Sequence, residues 1–343
     1  MYRAAALVLG LLLAGAPAAG AAPPELRQTS SLARHSACER PHTGPLEYGW
    51  PVRPFHRQHP IRGNFGDPRT VVETGGLGSS SPLSPGSFSF HNGVDITAGT
   101  GMPVYPVVSG TARVGYGDEV IVETEDERTF QYFHVRPAIV AGQSVVAYHT
   151  VLGTVLPHWL HVHLSEIDSF RIHNPADPGH LEPYVDHTVP VVETVEFARP
   201  GGGTLEPERL SGLIQIAADA TDTPPLPVPG EWFGFPVAPA RIVWQLATPA
   251  GRVVLPLRTV ADFRLTEPPN QGFWAVYAAG TYQNFPVFGQ HYFFRHAGRY
   301  RFQLTPMPLD TRVIPNGSYL LTVAASDVCG NRGTASETIR IAN

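Results

Sequence analysis

Residues 160–164 read Leu-His-Val-His-Leu, and residues 91–95 read His-Asn-Gly-Val-Asp. In the first stretch imidazoles alternate with apolar side chains. This is the period-2 pattern of a half-buried strand, so His161 and His163 point to the same face. In the second, His91 and Asp95 flank Gly93, where a glycine permits a tight bend. Neither pattern is informative alone, because 15 histidines in 343 residues produce about 0.7 His-x-His pairs by chance. Taken together they offer two imidazoles and a carboxylate. Three ligands of that kind, with a fourth position left for water, describe a catalytic rather than a structural zinc site. Zinc lowers the pKa of bound water to about 7, which supplies hydroxide at neutral pH.

Outward from these segments the chain reads as β-rich. Strands are expected at 104–108, 119–123, 130–134, 144–148 and 160–164, and later at 213–217, 241–247, 252–257, 272–277, 299–305 and 319–325. With 35 prolines and 34 glycines, no ten-residue stretch keeps a helical period, so the expected class is all-β. RPGGGTLEP at 199–207 reads as a linker. It divides a first domain at 47–198 from a second at 208–343, with residues 22–46 as an N-terminal extension. The closing GSYLLTVAASDVCGNRGTASETIRI reads as two strands around a turn, as in the last hairpin of an immunoglobulin-like β-sandwich.

Composition excludes several functions. The formal net charge is −5, and all 24 basic residues are arginine, so there is no basic excess for nucleic acid. Two cysteines cannot build a zinc ribbon. Residues 1–21 have the short polar start, apolar run and small-residue end of a signal peptide, and no later segment is apolar enough to span a bilayer. The expected location is therefore secreted or periplasmic, with no membrane attachment after cleavage. That compartment allows Cys38 and Cys329 to pair.

A wider set of residues carries a family resemblance. Gly63-Asn64-Phe65-Gly66-Asp67-Pro68-Arg69, HNGVDITAGTGMPVYPVVSGTARV (91–114), YFHV (132–135), AGQSV (141–145) and HVH (161–163) follow one another in order. Over about residues 47–190 the chain resembles the lysostaphin-type zinc endopeptidases, which cleave peptides of bacterial cell walls. The resemblance implies a small antiparallel β-sheet domain in which His91, Asp95 and His163 hold Zn²⁺. It also implies that His134 and His161 act on substrate and water without binding the metal. Peptidoglycan peptides are the implied partner. An imidazole with pKa near 6.5 suits the removal of a proton from the attacking water. Which of His134 and His161 does so is not legible in the sequence.

Three features depart from the family. The segment from Thr154 to Leu160 is shorter than usual, Leu164-Ser165-Glu166 stands where Phe-Glu is common, and the 71–90 loop is longer. The short segment motivates a second expectation, a catalytically inactive cell-wall-binding or hydrolase-regulating domain of the same fold. Trp159, two residues from His161, is the candidate substrate-binding aromatic. Trp50 and Tyr132 are expected to pack, His158 to sit in a loop, and His149, His173, His180 and His187 to lie at the surface or in packing. Asp219 and Asp222 invite calcium, but the sequence does not assemble the six to eight oxygens such a site takes.

Overall fold

The computed structural model describes residues 26–31, 37–39, 46–69, 79–81, 84–169, 171–284 and 296–343. The expected signal peptide lies outside them, as does most of the loop between 70 and 83. Among the described residues the fold is nearly all β, built from antiparallel sheets, and no helix is long and apolar enough to cross a membrane.

The sheet that matters most runs, in spatial order, Gln143–Val145, Gly110–Val114, Glu119–Glu123, Arg128–Phe133, His161–Asp168, Val94–Thr97 and Ile61–Gly63, with Arg171–His173 also paired to His161–Asp168. Its register follows from alternation. On His161–Asp168, Val162 and Leu164 turn into the apolar core with Val94, Ile96, Phe130 and Tyr132, while His161, His163 and Ser165 take the opposite face. A one-residue slip would drive three polar side chains into that core, so the register is strongly specified. Trp50 and Tyr132 are fully buried, as expected of packing residues.

The later part of the chain forms a five-stranded sheet and a four-stranded one. The closing hairpin is present as Gly317–Ser326 against Arg332–Ile341. The N-terminal strand Arg27–Ser31 adds to the edge of Arg332–Ile341, and Cys38 is disulfide-bonded to Cys329, with a Cα separation of 5.1 Å. The stretch at 199–207, expected as a linker, connects Val191–Ala198 to Leu213–Thr221, which are antiparallel neighbours in one sheet. Most expected strands form, with shifted ends. Two do not: at 104–108 only Val104 is in a strand, the short Pro103–Val104, and at 272–277 Phe273–Val276 is a short helix. Phe273, Val276 and Tyr277 lie three and four positions apart, so one helical turn buries all three, with the Phe273 and Tyr277 rings against Phe90. Packing overrides strand propensity here.

The two parts of the chain meet along Asn64-Phe65-Gly66-Asp67. Asp67 accepts hydrogen bonds from the backbone N–H of Asn64 and Ala238 and from Gln283 Nε2, and Tyr277 Oη donates to the carbonyl of Gly66. Gly66 is required on two counts. Its φ is +86°, and a Cβ there would lie 2.3 Å from the Phe263 ring.

Glu267 sits beside this junction, its backbone N–H donating to Ile172, and one of its carboxylate oxygens is buried with no hydrogen-bond partner among the described residues. Burial pushes its pKa up from 4.5 to about 8. The folded chain therefore keeps a proton that the unfolded chain releases. The associated stability is full below about pH 4.5 and is lost as pH rises through about 8. Replacing the carboxylate by Glu267→Gln is expected to flatten that loss, read as urea midpoints of both proteins at pH 5 and pH 8. Parallel pH profiles would contradict it.

Candidate metal centre

Adjacent strands bring the ligand candidates together. His163 and Asp95 are directly opposed in the ladder between His161–Asp168 and Val94–Thr97, and Asp95 also faces Gly63 on the other side. His91 precedes Val94–Thr97 and folds back over it. The result is a compact triangle: His91 Nε2 to His163 Nδ1 is 2.8 Å, His91 Nε2 to Asp95 Oδ1 is 3.1 Å, and His163 Nδ1 to Asp95 Oδ1 is 3.2 Å. A tetrahedral ion with ligands at about 2.0–2.2 Å holds them roughly 3.3–3.6 Å apart, so the spacing is close to what zinc needs.

The supporting hydrogen bonds decide which nitrogen faces inward. His91 Nδ1 donates to the carbonyl of Asn64 at 2.7 Å, which leaves an Nε2 lone pair directed at the triangle. His163 Nε2 contacts Ser165 Oγ at 2.8 Å and presents Nδ1. Partners of this kind fix the tautomer and orientation of a metal-binding imidazole. Two inward lone pairs and a carboxylate oxygen about 3 Å apart repel one another unless a cation lies among them. The donor set fits a metal ion, and the group His91, Asp95, His163 could hold one.

Charge at the centre is held in a defined state. Burial lowers the pKa of His91 to about 3, reinforced by Arg69, and lowers that of His161 to about 3, reinforced by Arg62. Burial also lowers His163. Burial opposes ionisation of Asp95, but the imidazoles together with Arg62 and Arg69 hold its pKa well below the carboxylate range. The arginines grip the far oxygen: Arg69 lies 3.0 Å and Arg62 3.5 Å from Oδ2, leaving Oδ1 to the histidines. At neutral pH the centre is two neutral imidazoles and one carboxylate anion, the protonation state in which such groups ligate.

The two remaining histidines stand on one side of the triangle. His161 Nε2 is 3.4 Å from Asp95 Oδ1 and accepts from Arg62 at 3.1 Å, while its Nδ1 donates to the carbonyl of Trp159 at 2.6 Å. His134 Nδ1 pairs with Asp118 at 3.0 Å, and its other nitrogen has no hydrogen-bond partner among the described residues. The rings of His134 and His161 are 4.6 Å apart. Trp159 stacks flat on His134 at 3.6 Å. All five histidine and aspartate candidates thus meet at one place, with His134 and Trp159 at its partly exposed edge. His158, as expected, is an exposed loop residue. His180, by contrast, is a buried strut, its Nδ1 on Glu166 at 2.7 Å.

Several site residues escaped the sequence reading. Arg62, Asp118 and the carbonyl of Asn64 belong to no short spacing with the histidines. Only the alternation of His163 and Ser165 signalled that the serine shares their face. Residues from far along the chain also reach the site. The Arg62 guanidinium stacks 4.1 Å from the Trp232 ring, and Arg69 is hydrogen-bonded to Gln283.

No family model matches the chain, and no curated protein matches its sequence. Among solved structures, the SpoIIQ–SpoIIIAH pore-forming complex contains a chain similar to this one, with a TM-score of 0.30 and 17% identity, covering 41% of this chain and 95% of that chain.

Gly93 lies in a bend, as the sequence suggested, but not because it adopts a positive φ. It is needed for space: a Cβ would lie 2.3 Å from the Leu164 carbonyl oxygen and 2.7 Å from His163 Nε2. The carbonyl cannot yield without breaking the ladder. Gly93→Ala is therefore expected to displace His163 and weaken metal binding by at least about tenfold, as loss of a ligand-orienting partner does. Zinc competition titration checks it, and unchanged affinity would refute the role given to Gly93.

Proposed function

We propose that this protein is an exported zinc endopeptidase acting on the peptide cross-links of peptidoglycan. The observation that carries the reading is the convergence of His91, Asp95 and His163 within about 3 Å of one another, with His134 and His161 alongside. The cell-wall substrate comes from the resemblance of the sequence segments, and export from the signal-like N-terminus. The Cys38–Cys329 disulfide is in keeping with an oxidising compartment.

His91 Nε2, His163 Nδ1 and Asp95 Oδ1 would hold the metal. When bound, zinc supplies an acidified water and a Lewis acid for the scissile carbonyl. The protein's own groups divide the remaining work. His134 has one nitrogen engaged by Asp118 and the other open, so it is assigned as the general base. Asp118 fixes the tautomer and orientation of His134, as a carboxylate does for a catalytic imidazole. Arg62 stands on the same side of Asp95 as His161, whose Nε2 accepts from it, so that the guanidinium is placed to bind developing negative charge on the carbonyl oxygen. Trp159, first considered for substrate contact, holds the His134 ring by stacking at the partly exposed edge of the site, where an extended peptide would pass. We assign residues 47–190 to the peptidase-like domain. The sheets that follow form an immunoglobulin-like domain, which extends from Val191 because that strand pairs with Leu213–Thr221.

A second reading is favoured by one observation. The Arg62 guanidinium, under Trp232, already occupies His161 Nε2 and the edge of Asp95. In a cell-wall-binding or hydrolase-regulating domain without turnover, that contact would be permanent.

The deciding experiment is metal content together with cleavage of purified peptidoglycan and cross-link peptides, for wild type and His163→Ala. The expected result is one zinc per chain at the centre and cleavage that falls by more than about 100-fold in the variant, beyond the range reached by losing a supporting partner alone. Zinc with saturable wall binding but no cleavage selects the second reading. Absence of zinc after metal reconstitution overturns both.

A further inference from the structure

A second group of acidic residues lies behind the first centre. Asp186, Asp222 and Asp327 are buried at 2%, 3% and 4% exposure, and one carboxylate oxygen from each lies within 4.8 Å of the others. They come from three distant places: the segment before Val191–Ala198, the residue after Leu213–Thr221 and the residue after Gly317–Ser326. Asp219, paired with Asp222 when the sequence was read for calcium, is excluded because it is bound to Arg299 and Arg301.

The three carboxylates face a small cavity of about 10 Å³, also lined by Asn64, Asn174 and Tyr184. That volume is about what one water-sized occupant needs. Fixed donors orient each carboxylate. Thr188 donates twice to Asp186 Oδ1, and Asn331 donates from its backbone N–H to Asp327 Oδ1 and from Nδ2 to Oδ2. Asp222 differs. Its Oδ1 accepts from the Thr223 N–H at 2.8 Å and lies 3.5 Å from Thr188 Oγ1, but its Oδ2 has no hydrogen-bond partner among the described residues although the side chain lines the cavity. Asp186 Oδ2 has a single contact, Tyr184 Oη at 3.5 Å.

Charge compensation is missing as well. Among the described residues no arginine pairs with any of the three carboxylates, and the chain has no lysine. His187, next to Asp186 in sequence, eases the charge of Asp186 when protonated. With no further charged partner among the described residues, three buried carboxylates must offset the rest of their charge by binding protons or a cation. Burial and mutual repulsion raise the pKa of Asp222 well above the usual range and that of Asp327 to about 7.

We propose that Asp186, Asp222 and Asp327 form a second cation site that binds calcium. The potential ligands are all oxygens, the donor set of a hard cation rather than of zinc. Ligand atoms at about 2.3–2.6 Å from Ca²⁺ can lie up to roughly 5 Å apart, which the trio satisfies, with Tyr184, Asn64 and Asn174 beside them. The ion would clamp three chain segments into one node. Asn64 lines the cavity and its carbonyl holds His91 Nδ1, so the node also supports the first centre. The assignment does not depend on the peptidase reading.

The test uses the full exported chain, stripped of metal with a chelator and titrated with CaCl₂. Calcium stoichiometry is read by equilibrium dialysis and Tm by calorimetry. Wild type and His163→Ala are each expected to bind one calcium, with Tm raised by roughly 3–6 °C at 100 times Kd. Asp222→Asn and Asp327→Asn, which keep the side-chain shape, are expected to bind at least tenfold more weakly. Should both variants misfold, the wild type still decides through terbium luminescence sensitised by Tyr184, which Tyr184→Phe should abolish. Wild type that binds no calcium up to about 10 mM, above the range of weak extracellular modules, overturns the proposal. So does calcium affinity unchanged in both aspartate variants, or terbium luminescence unchanged in Tyr184→Phe.

Discussion

A single buried anion organises the centre of this protein. Asp95 is 2% exposed and faces two guanidiniums on one oxygen and three imidazoles on the other. Burying an unpaired carboxylate costs several kcal/mol, and removing one partner from a buried pair costs about 3–5 kcal/mol. Each partner of Asp95 is therefore fixed by more than its own packing. Arg62 must come from the edge strand, Arg69 from the segment after Asp67, and His163 from the neighbouring strand. Once those positions are set, His91 and His163 have little freedom left except to face each other.

The same need for charge compensation explains why the two parts of the chain are joined where they are. Asn64-Phe65-Gly66-Asp67 serves both sides. Asn64 orients His91, and Asp67 collects donors from Ala238 and Gln283. Trp232 covers Arg62. The C-terminal sheets thus form part of the wall of the centre. This explains why the sequence assigned them no chemistry, because they supply stacking and hydrogen bonds and no ligands.

The sequence was most legible where structure depends on near neighbours. The period-2 pattern at 160–164 placed His161 and His163 on one face, and both lie within 3.4 Å of Asp95 Oδ1. It also identified strands such as Glu119–Glu123 and Arg241–Ala247 to the residue. It failed at 272–277, where a β-compatible composition forms one helical turn because Phe90 and Phe263 offer the aromatic surface. At Gly93 it gave the bend but not the clearance from a carbonyl on the next strand, which no local rule contains.

What the sequence determined by itself was the all-β class, the shared face of the His-x-His pair and the residue types able to bind a metal. These follow from alternation and side-chain chemistry, which are properties of the chain over a few residues. The tertiary structure alone decided that Asp95 sits opposite His163, that Arg62 and Arg69 neutralise it, that Asp118 takes one nitrogen of His134 while the other has no partner among the described residues, and that three aspartates spread over more than a hundred residues share one cavity. Those outcomes depend on which strands become neighbours, and that is settled by burying the whole apolar core at once.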